Sequence, residues 1–516
     1  MTDWKPPALW ARVRATGPDP DVGWFGTTYL SDSLLCPLVP GAEEDLAVLD
    51  EVLAERQWRL ELGDPVLFVS DEVSADAGVT GAVENFRKAY RAGEPTTALE
   101  ALRRLWKPLY AGREHAGPEG QPIPVGVIGV HLARNVGAPV DGPDAAVALR
   151  AVQERRRAPV ALGLDHLLSL GPFIETNPFI ETNPFIETNP FIETNPAAGY
   201  ARPGLGGRQP VSVPIAPPSR RPEASRRVTV AVLDTGCGDH EWLDDVVTVP
   251  HVDGHPIGRH GSPDPERDPS PGPTITGLAG RAVGHGTFIA GLVRQVAPDA
   301  DLLAVRVCDG DGIVTELELI SVLAQLTAYQ RTTGPIDVLN LSLSYTHERP
   351  EDAAYSSALY GVLHHLRAEG TTIVASAGNA ATTRPHFPAA FTLSPDPSVA
   401  PLISVGARNP NGTIAAFSNQ GAWVSCWDQG AALVSTSPRL DSGRQPTVET
   451  GPGSETFDLD DFSGGFAVWS GTSFAAPLLA ARVAHVLEPR IPPAKHIAER
   501  IRGAHLAWRM VEDGGR

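Results

Sequence analysis

The hexamer Phe-Ile-Glu-Thr-Asn-Pro occurs four times head to tail from Phe173 to Pro196, and it limits where this chain can build a core. A packed element sets its residues at different depths and so asks for different side chains, a demand that identical hexamers do not meet. Proline every sixth residue also removes a backbone donor and pushes the residue before it out of the helical region, so Asn177, Asn183, Asn189 and Asn195 are expected to be extended. Residues 173–196 therefore read as an exposed, extended linker, and whatever folds must be assembled from the residues on either side. At 516 residues the chain has room for two or three domains and a large core.

The residues after the linker carry the pattern of a parallel sheet. Arg227-Val-Thr-Val-Ala-Val-Leu-Asp-Thr-Gly236 is an apolar, β-branched run that reads as a buried strand with Asp234 at its carboxyl end. In Gly284-His-Gly-Thr-Phe-Ile-Ala-Gly291 glycines flank His285 and a helix is expected to run on to Gln295. A strand over Asp301–Val307 follows, then a helix in which Leu317, Ile320, Leu323 and Leu326 recur at a three-residue stride. Strand and helix alternate again over Val338–Leu343, roughly Glu351–Ala368, and Thr371–Ala377. Such alternation predicts an α/β fold with a central parallel sheet covered by helices on both faces, and reactive groups of such sheets gather at the carboxyl ends of the strands.

Three separated segments bring reactive side chains to that edge. Asp234 closes its strand, His285 starts a helix, and Ser473 in Gly471-Thr-Ser-Phe-Ala-Ala-Pro477 opens an alanine-rich helix near its positive end. Singly these residues are ordinary: an aspartate after a strand is a turn residue, a buried histidine a satisfied core group, and Gly-Thr-Ser a helix cap. Their order is what informs. The segments resemble the Asp-Thr-Gly, His-Gly-Thr and Gly-Thr-Ser-x-Ala-x-Pro motifs of the subtilisin-like serine proteases, in that family's chain order. Thr372-Ile-Val-Ala-Ser-Ala-Gly-Asn379 resembles the strand that ends in the family's oxyanion-hole asparagine, and Val338-Leu-Asn-Leu-Ser-Leu-Ser344 the strand that lines its substrate cleft.

The resemblance covers about residues 200–510 and implies a subtilisin-like three-layer α/β peptidase domain, preceded here by a smaller α+β N-terminal region. It implies a serine endopeptidase in which His285 takes the Ser473 proton and later returns it to the leaving amine, while Asp234 holds the imidazole. Asn379 and the Ser473 N–H are the implied oxyanion donors, and Ser342, Leu343, Ser344, Ser376, Ala377 and Gly378 the implied cleft lining. This chemistry requires no metal or other cofactor, and structural calcium is left open.

Some positions depart from the family pattern. Ser344 stands where the family usually has glycine in the wall of the primary specificity pocket, so a shallower pocket is expected. Trp427-Asp-Gln-Gly430 replaces an Ala-Pro-Gly turn, and surface insertions are expected over Pro438–Ser463 and the Pro- and Asp-rich loop His251–Pro273. His251, His255 and His260 of that loop match no standard metal spacing and read as solvated side chains.

Ahead of the linker, residues 1–115 carry helix signals at Glu43–Arg59 and Ala98–Tyr110 and one strand at Pro65–Ser70, a region of unknown role. Residues 121–172 read as strand Val125–Leu132, helix Pro143–Arg156 and strand Pro159–Leu170. This β-α-β segment resembles the inhibitory prodomains of subtilisins, which cover the active-site edge and feed a C-terminal tail through the cleft. On that resemblance the hexamer array is the expected tail, bound as an added strand with Phe173 in a distal pocket and Thr176 at the cut, and Thr182, Thr188 and Thr194 as its equivalents. Four copies raise the local concentration of cleavable sites without a new contact. Cutting after Phe173, a plain spacer, multivalent docking motifs on a binding scaffold, and a precursor releasing hexapeptides are the other readings of the array.

Net charge is 42 minus 61, or −19, which argues against nucleic acid or an anionic membrane as the main partner and leaves polypeptides, including the chain's own linker. Met1-Thr-Asp-Trp-Lys-Pro-Pro7 begins no basic-then-apolar leader and no run of eighteen apolar residues occurs, so a cytoplasmic location is expected. Cys36, Cys237, Cys308 and Cys426 are too few and scattered for a disulfide framework; three of them are expected to be small buried hydrophobes.

Overall fold

The computed structural model describes residues 9, 11–16, 26–69, 76–92, 94–110, 122–135, 142–156, 160–170, 208–221, 226–268, 282–348, 357–440, 461–490 and 496–514. The hexamer array lies outside these residues, and with it Thr176, Thr182, Thr188 and Thr194.

The N-terminal domain is one antiparallel sheet backed by helices. Its elements are β1 (Val13–Thr16), β2 (Thr27–Pro37), α1 (Ala42–Glu55), β3 (Trp58–Leu62), β4 (Val66–Leu67), α2 (Ala77–Arg91), α3 (Pro95–Tyr110), β5 (Gly126–Arg134), α4 (Ala145–Arg155) and β6 (Gly163–Ser169). The separation at about residue 115 expected from sequence does not appear in the pairing: β5 lies between β2 and β3, and β6 pairs β2, so the 121–172 segment completes the sheet begun before it. Side chains alternate between two environments, as period-two strands require. Leu34, Cys36, Ile128, Val130 and Leu164 enter the domain's own core with Leu46, Leu49 and Val52 of α1 and Leu149 and Val152 of α4. Their strand neighbours Leu35 and Val127 enter the core of the other domain, as does Leu168 further along β6 on the same side of the strand as Leu164.

The C-terminal domain is built on β7 (Thr229–Asp234), α5 (His285–Val296), β8 (Asp301–Arg306), β9 (Ile313–Thr315), α6 (Glu316–Thr332), β10 (Val338–Leu341), α7 (Ser357–Ala368), β11 (Thr372–Ser376), β12 (Leu402–Arg408), β13 (Cys426–Gln429) and α8 (Thr472–Leu487). Six strands form one sheet in the order β8-β7-β10-β11-β12-β13, and every adjacent pair is parallel. Ala231 and Leu233 of β7 pack into the layer of α6 and α7, whereas Val230 and Val232 pack toward α5 and α8. Both faces are thus covered, which is the three-layer α/β arrangement the alternation predicts. Helix α6 is started by a capping box in which Thr315 accepts from the Glu318 N–H and Glu318 accepts in return.

The two domains share a strand ladder and an apolar face. β9 pairs antiparallel with β6, with Ile313 opposite Ser169, Val314 opposite Leu168 and Thr315 opposite Leu167. Gly129 of β5 receives Leu317 of α6: a Cβ there would stand 2.6 Å from a Leu317 methyl, closer than packed atoms come. The Arg331 guanidinium near the end of α6 donates to the Val69 carbonyl of the N-terminal domain at 2.7 Å. Cys36, Cys237 and Cys308 are buried free thiols and Cys426 is partly buried. Among the described residues no helix is long and apolar enough to cross a membrane.

Candidate active site

The carboxyl edge of the parallel sheet collects the residues singled out by sequence. Asp234 ends β7 completely buried, and His285 follows Gly284, whose φ of 83° only glycine adopts easily. The helix start is pressed against the Asp234 turn: a Cβ on Gly286 would lie 2.1 Å from the Gly236 carbonyl oxygen. That closeness brings His285 Nδ1 to 2.8 Å from Asp234 Oδ1, with the Thr235 N–H donating to the same oxygen at 2.8 Å. Ser473 is in the first turn of α8, and Thr472 donates through both N–H and hydroxyl to Asn379 Oδ1 at 2.8 Å. This fixes the amide so that Nδ2, its donor end, is turned away from Thr472.

The residues read from sequence as cleft lining lie beside Ser473 and the ends of β10 and β11. Ser342 accepts from Asn340 Nδ2 at 2.9 Å and donates to the Ser473 carbonyl at 2.8 Å, tying β10 to the start of α8. Leu343 is buried, and Ser344 is buried with its hydroxyl 3.4 Å from His386 Nδ1. Burial and, second, the nearby Arg384 hold that imidazole down at about 4, so it is neutral at neutral pH. Ser376 and Ala377 lie at the end of β11, and Gly378, at φ 98°, donates its N–H to the Thr472 hydroxyl at 3.0 Å.

The cleft is occupied by the chain itself. Ser169 and Ser344 exchange both backbone hydrogen bonds, at 3.0 and 2.8 Å, and the Leu170 N–H donates to the Gly312 carbonyl at 3.1 Å. The Ser473 hydroxyl donates to the Leu170 carbonyl oxygen at 3.0 Å. A prodomain-like tail in the cleft was expected, but with the hexamer array as that tail; the residues found there are instead Leu168, Ser169 and Leu170, and Phe173 begins three positions further on. The difference is one of register, set by the pairing of β6 with β9.

One residue beneath Asp234 and His285 escaped the sequence reading. Glu266 belongs to the His251–Pro273 loop read as a surface insertion, yet it is buried under the Asp234 turn. It accepts from the Thr235 hydroxyl, from Thr287 Oγ1 at 2.5 Å and from the Gly286 N–H at 3.3 Å. Burial is the main reason its carboxyl rises to about 7, partly offset by the two threonine hydroxyls. Among the described residues the group of histidines and acids close enough to share an ion is His166, His347 and Glu348; His251, His255 and His260 are not gathered.

The sequence profile of the subtilase family matches residues 225–504. A thermophilic serine proteinase of Bacillus sp. (strain AK1) is 29% identical over 211 residues, which are 40% of this chain and 45% of that protein. Subtilisin BL of Lederbergia lenta is 29% identical over 220 residues, 41% of this chain and 66% of that protein. Thermitase of Thermoactinomyces vulgaris is 30% identical over 165 residues, 30% of this chain and 52% of that protein. The chain thus spans between 45% and 66% of the length of these relatives. The profile takes in more than half of the 516 residues, including all three motifs and the sheet that carries them, and on that ground the chain belongs to the subtilase family.

Proposed function

We propose that the chain is a serine endopeptidase that hydrolyses peptide bonds through an acyl-enzyme on Ser473, held in check by its own N-terminal domain. The observation that carries this reading is the Ser473 hydroxyl pointing at the Leu170 carbonyl, in a site where His285 Nδ1 is tied to a buried Asp234. With Nδ1–H given to Asp234, the basic nitrogen of His285 is Nε2. It takes the proton as Ser473 Oγ bonds to the carbonyl carbon, and the oxyanion falls to Asn379 Nδ2 and the Ser473 N–H. The C–N bond then breaks, the amine leaves with the proton from His285, and water attacks the acyl group by the same path in reverse.

Polypeptides are the substrate class, and the chain's own residues are the first substrate. We place the cut at Leu170–Gly171, because the Leu170 carbonyl is the group at the nucleophile, and because cutting one bond later would put the nitrogen of Pro172 on the leaving side. This cut leaves Gly171 and Pro172, followed by the hexamer array, at the head of the peptidase half. The bonds after Thr176, Thr182, Thr188 and Thr194 are the alternative register.

Intact-mass analysis and N-terminal sequencing of purified wild type beside Ser473→Ala test the reading. Expected are a new N-terminus at Gly171 in wild type, full-length chain alone in Ser473→Ala, and covalent labelling of Ser473 by a fluorophosphonate. A ladder spaced by one hexamer moves the cut into the array. Wild type that stays whole, takes no label and hydrolyses no peptide refutes the proposal.

A further inference from the structure

We propose that Glu316 and Glu348 form an acidic subsite that binds the cationic side chain of a peptide substrate, four residues before the carbonyl presented to Ser473. The inference rests on the reading that β6 lies in the cleft as a substrate lies. Over Leu167–Ser169, β6 lies between two edges of the C-terminal domain, with Thr315 opposite Leu167 on one side and Ser344 opposite Ser169 on the other, while His166 stands opposite Tyr29 of the N-terminal β2. One step further along the first edge is Glu316, and four residues along the second is Glu348. Both reach the same side chain: His166 Nδ1 is 2.6 Å from Glu316 Oε2, and its Nε2 is 2.8 Å from Glu348 Oε2.

His166 and both glutamates are no more than 2% exposed, so the three charges are out of water and depend on one another. Burial alone would depress the imidazole, but the two carboxylates outweigh it and push it up to about 10, so an imidazolium with both N–H groups donating fits the geometry. Its ring lies stacked on Tyr345, centroids 4.5 Å apart. Other titratable and charged groups nearby include His347, with Nδ1 3.6 Å from Glu348, Arg384, which donates to the His347 carbonyl at 2.9 Å, and the buried Asp165, whose carboxyl feels Glu316 and Glu318.

The ownership of these groups gives the arrangement its meaning. The cation comes from the N-terminal domain, while both carboxylates belong to the walls of the cleft and stay when β6 leaves. A peptide entering by the same strand addition lays its own side chain between them. A lysine, arginine or histidine there restores the pairing, whereas an apolar side chain strands two desolvated carboxylates, a discrimination of the kind a built polar site makes strongly. His347 and Glu348 with His166 also have the spacing of metal ligands, but both nitrogens of His166 are already committed to carboxylates at hydrogen-bond distance, which favours the organic cation.

The test compares fluorogenic peptides bearing Leu-Leu-Ser-Leu-Gly, the chain's own residues 167–171, preceded by lysine or by norleucine, on processed wild type and on the E316Q/E348Q double variant. Expected is a preference for the lysine peptide of about tenfold or more in kcat/KM in wild type, falling to about one in the double variant. The same peptides used to protect Ser473 from fluorophosphonate labelling give the preference without turnover. Equal turnover and equal protection by the two peptides in wild type overturn the subsite while leaving the peptidase standing. No labelling of Ser473 at all overturns both readings. Zinc-dependent turnover or inhibition, present in wild type and lost in E348Q, makes the cluster a metal site and overturns the peptide subsite.

Discussion

Replacing Leu168 by alanine isolates the grip of the N-terminal domain on the cleft. Leu168 is completely buried, and it lies in the apolar cluster of the C-terminal domain with Val314, Leu319 and Leu343, not in the core of its own domain. The lost burial therefore falls on the docked state, while the undocked chain exposes leucine or alanine to water with little difference. A buried Leu→Ala change costs about 2–5 kcal/mol, and the lower part of that range, about 2–3, suits a strand end that can relax. Docking should weaken about 30- to 150-fold, since each 1.4 kcal/mol is a factor of ten. The assay is the rate at which a fluorophosphonate labels Ser473 in freshly purified full-length chain, with intact mass followed in the same samples to separate opening from cleavage. Because Leu170, next after β6, lies at the Ser473 hydroxyl, labelling should track the open fraction and rise by that factor. Labelling as slow in Leu168→Ala as in wild type, at unchanged melting temperature, would show that β6 does not guard the cleft in solution.

Three other outcomes follow from named groups. Asp165 is buried, accepting from Ser33 Oγ at 2.8 Å and across the interface from the Leu317 N–H at 3.2 Å, and burial foremost raises its carboxyl to about 7. Its docked form therefore favours the protonated acid: docking is strongest below the ordinary carboxylate range and weakens as pH climbs toward 7. Ser473 labelling should thus rise with pH more steeply in wild type than in Asp165→Asn, measured as the ratio of the two rates from pH 5 to 8. Glu266 obeys the same sign inside the C-terminal domain, so Glu266→Gln should gain melting temperature relative to wild type between pH 5 and 8 by calorimetry, and a constant difference would refute this. Asn379→Ala should keep the fold and lower kcat by roughly two to three orders of magnitude, while Ser473→Ala and His285→Ala abolish turnover in steady-state assays.

Much of the C-terminal domain was legible because its information is local. A β-branched run delivers Asp234, a leucine stride marks α6, and three short motifs place the reactive groups at one sheet edge. Pairing is not local in this way. Nothing in the spacing of residues 121–172 says that β5 inserts between β2 and β3, because the partners are matched by burial on two faces and not by distance along the chain. The same holds for cleft occupancy. Whether Leu170 or Thr176 meets Ser473 depends on a register against β9 that a shift of a few residues would change without altering either sequence pattern. Glu266 was missed because a Pro- and Asp-rich loop reads as solvated, and only the fold shows one of its carboxylates buried beneath Thr235 and Thr287.

Helix α6 is enclosed on two sides at once, by the parallel sheet beneath it and by the N-terminal strands above it, where Leu317 enters the hollow at Gly129. Only a narrow stripe of such a helix, with Glu318, Gln325 and Thr332 exposed on it, meets water. Were the proposed cleavage to release the N-terminal domain, it would do more than expose Ser473: it would uncover the apolar residues of α6 that the N-terminal strands cover. The released domain loses the cover for Leu35, Val127 and Leu168 at the same moment. Each separated half then carries an adhesive face made for the other, so the active form should be short-lived in free solution unless a substrate, a surface or another molecule takes the vacated place.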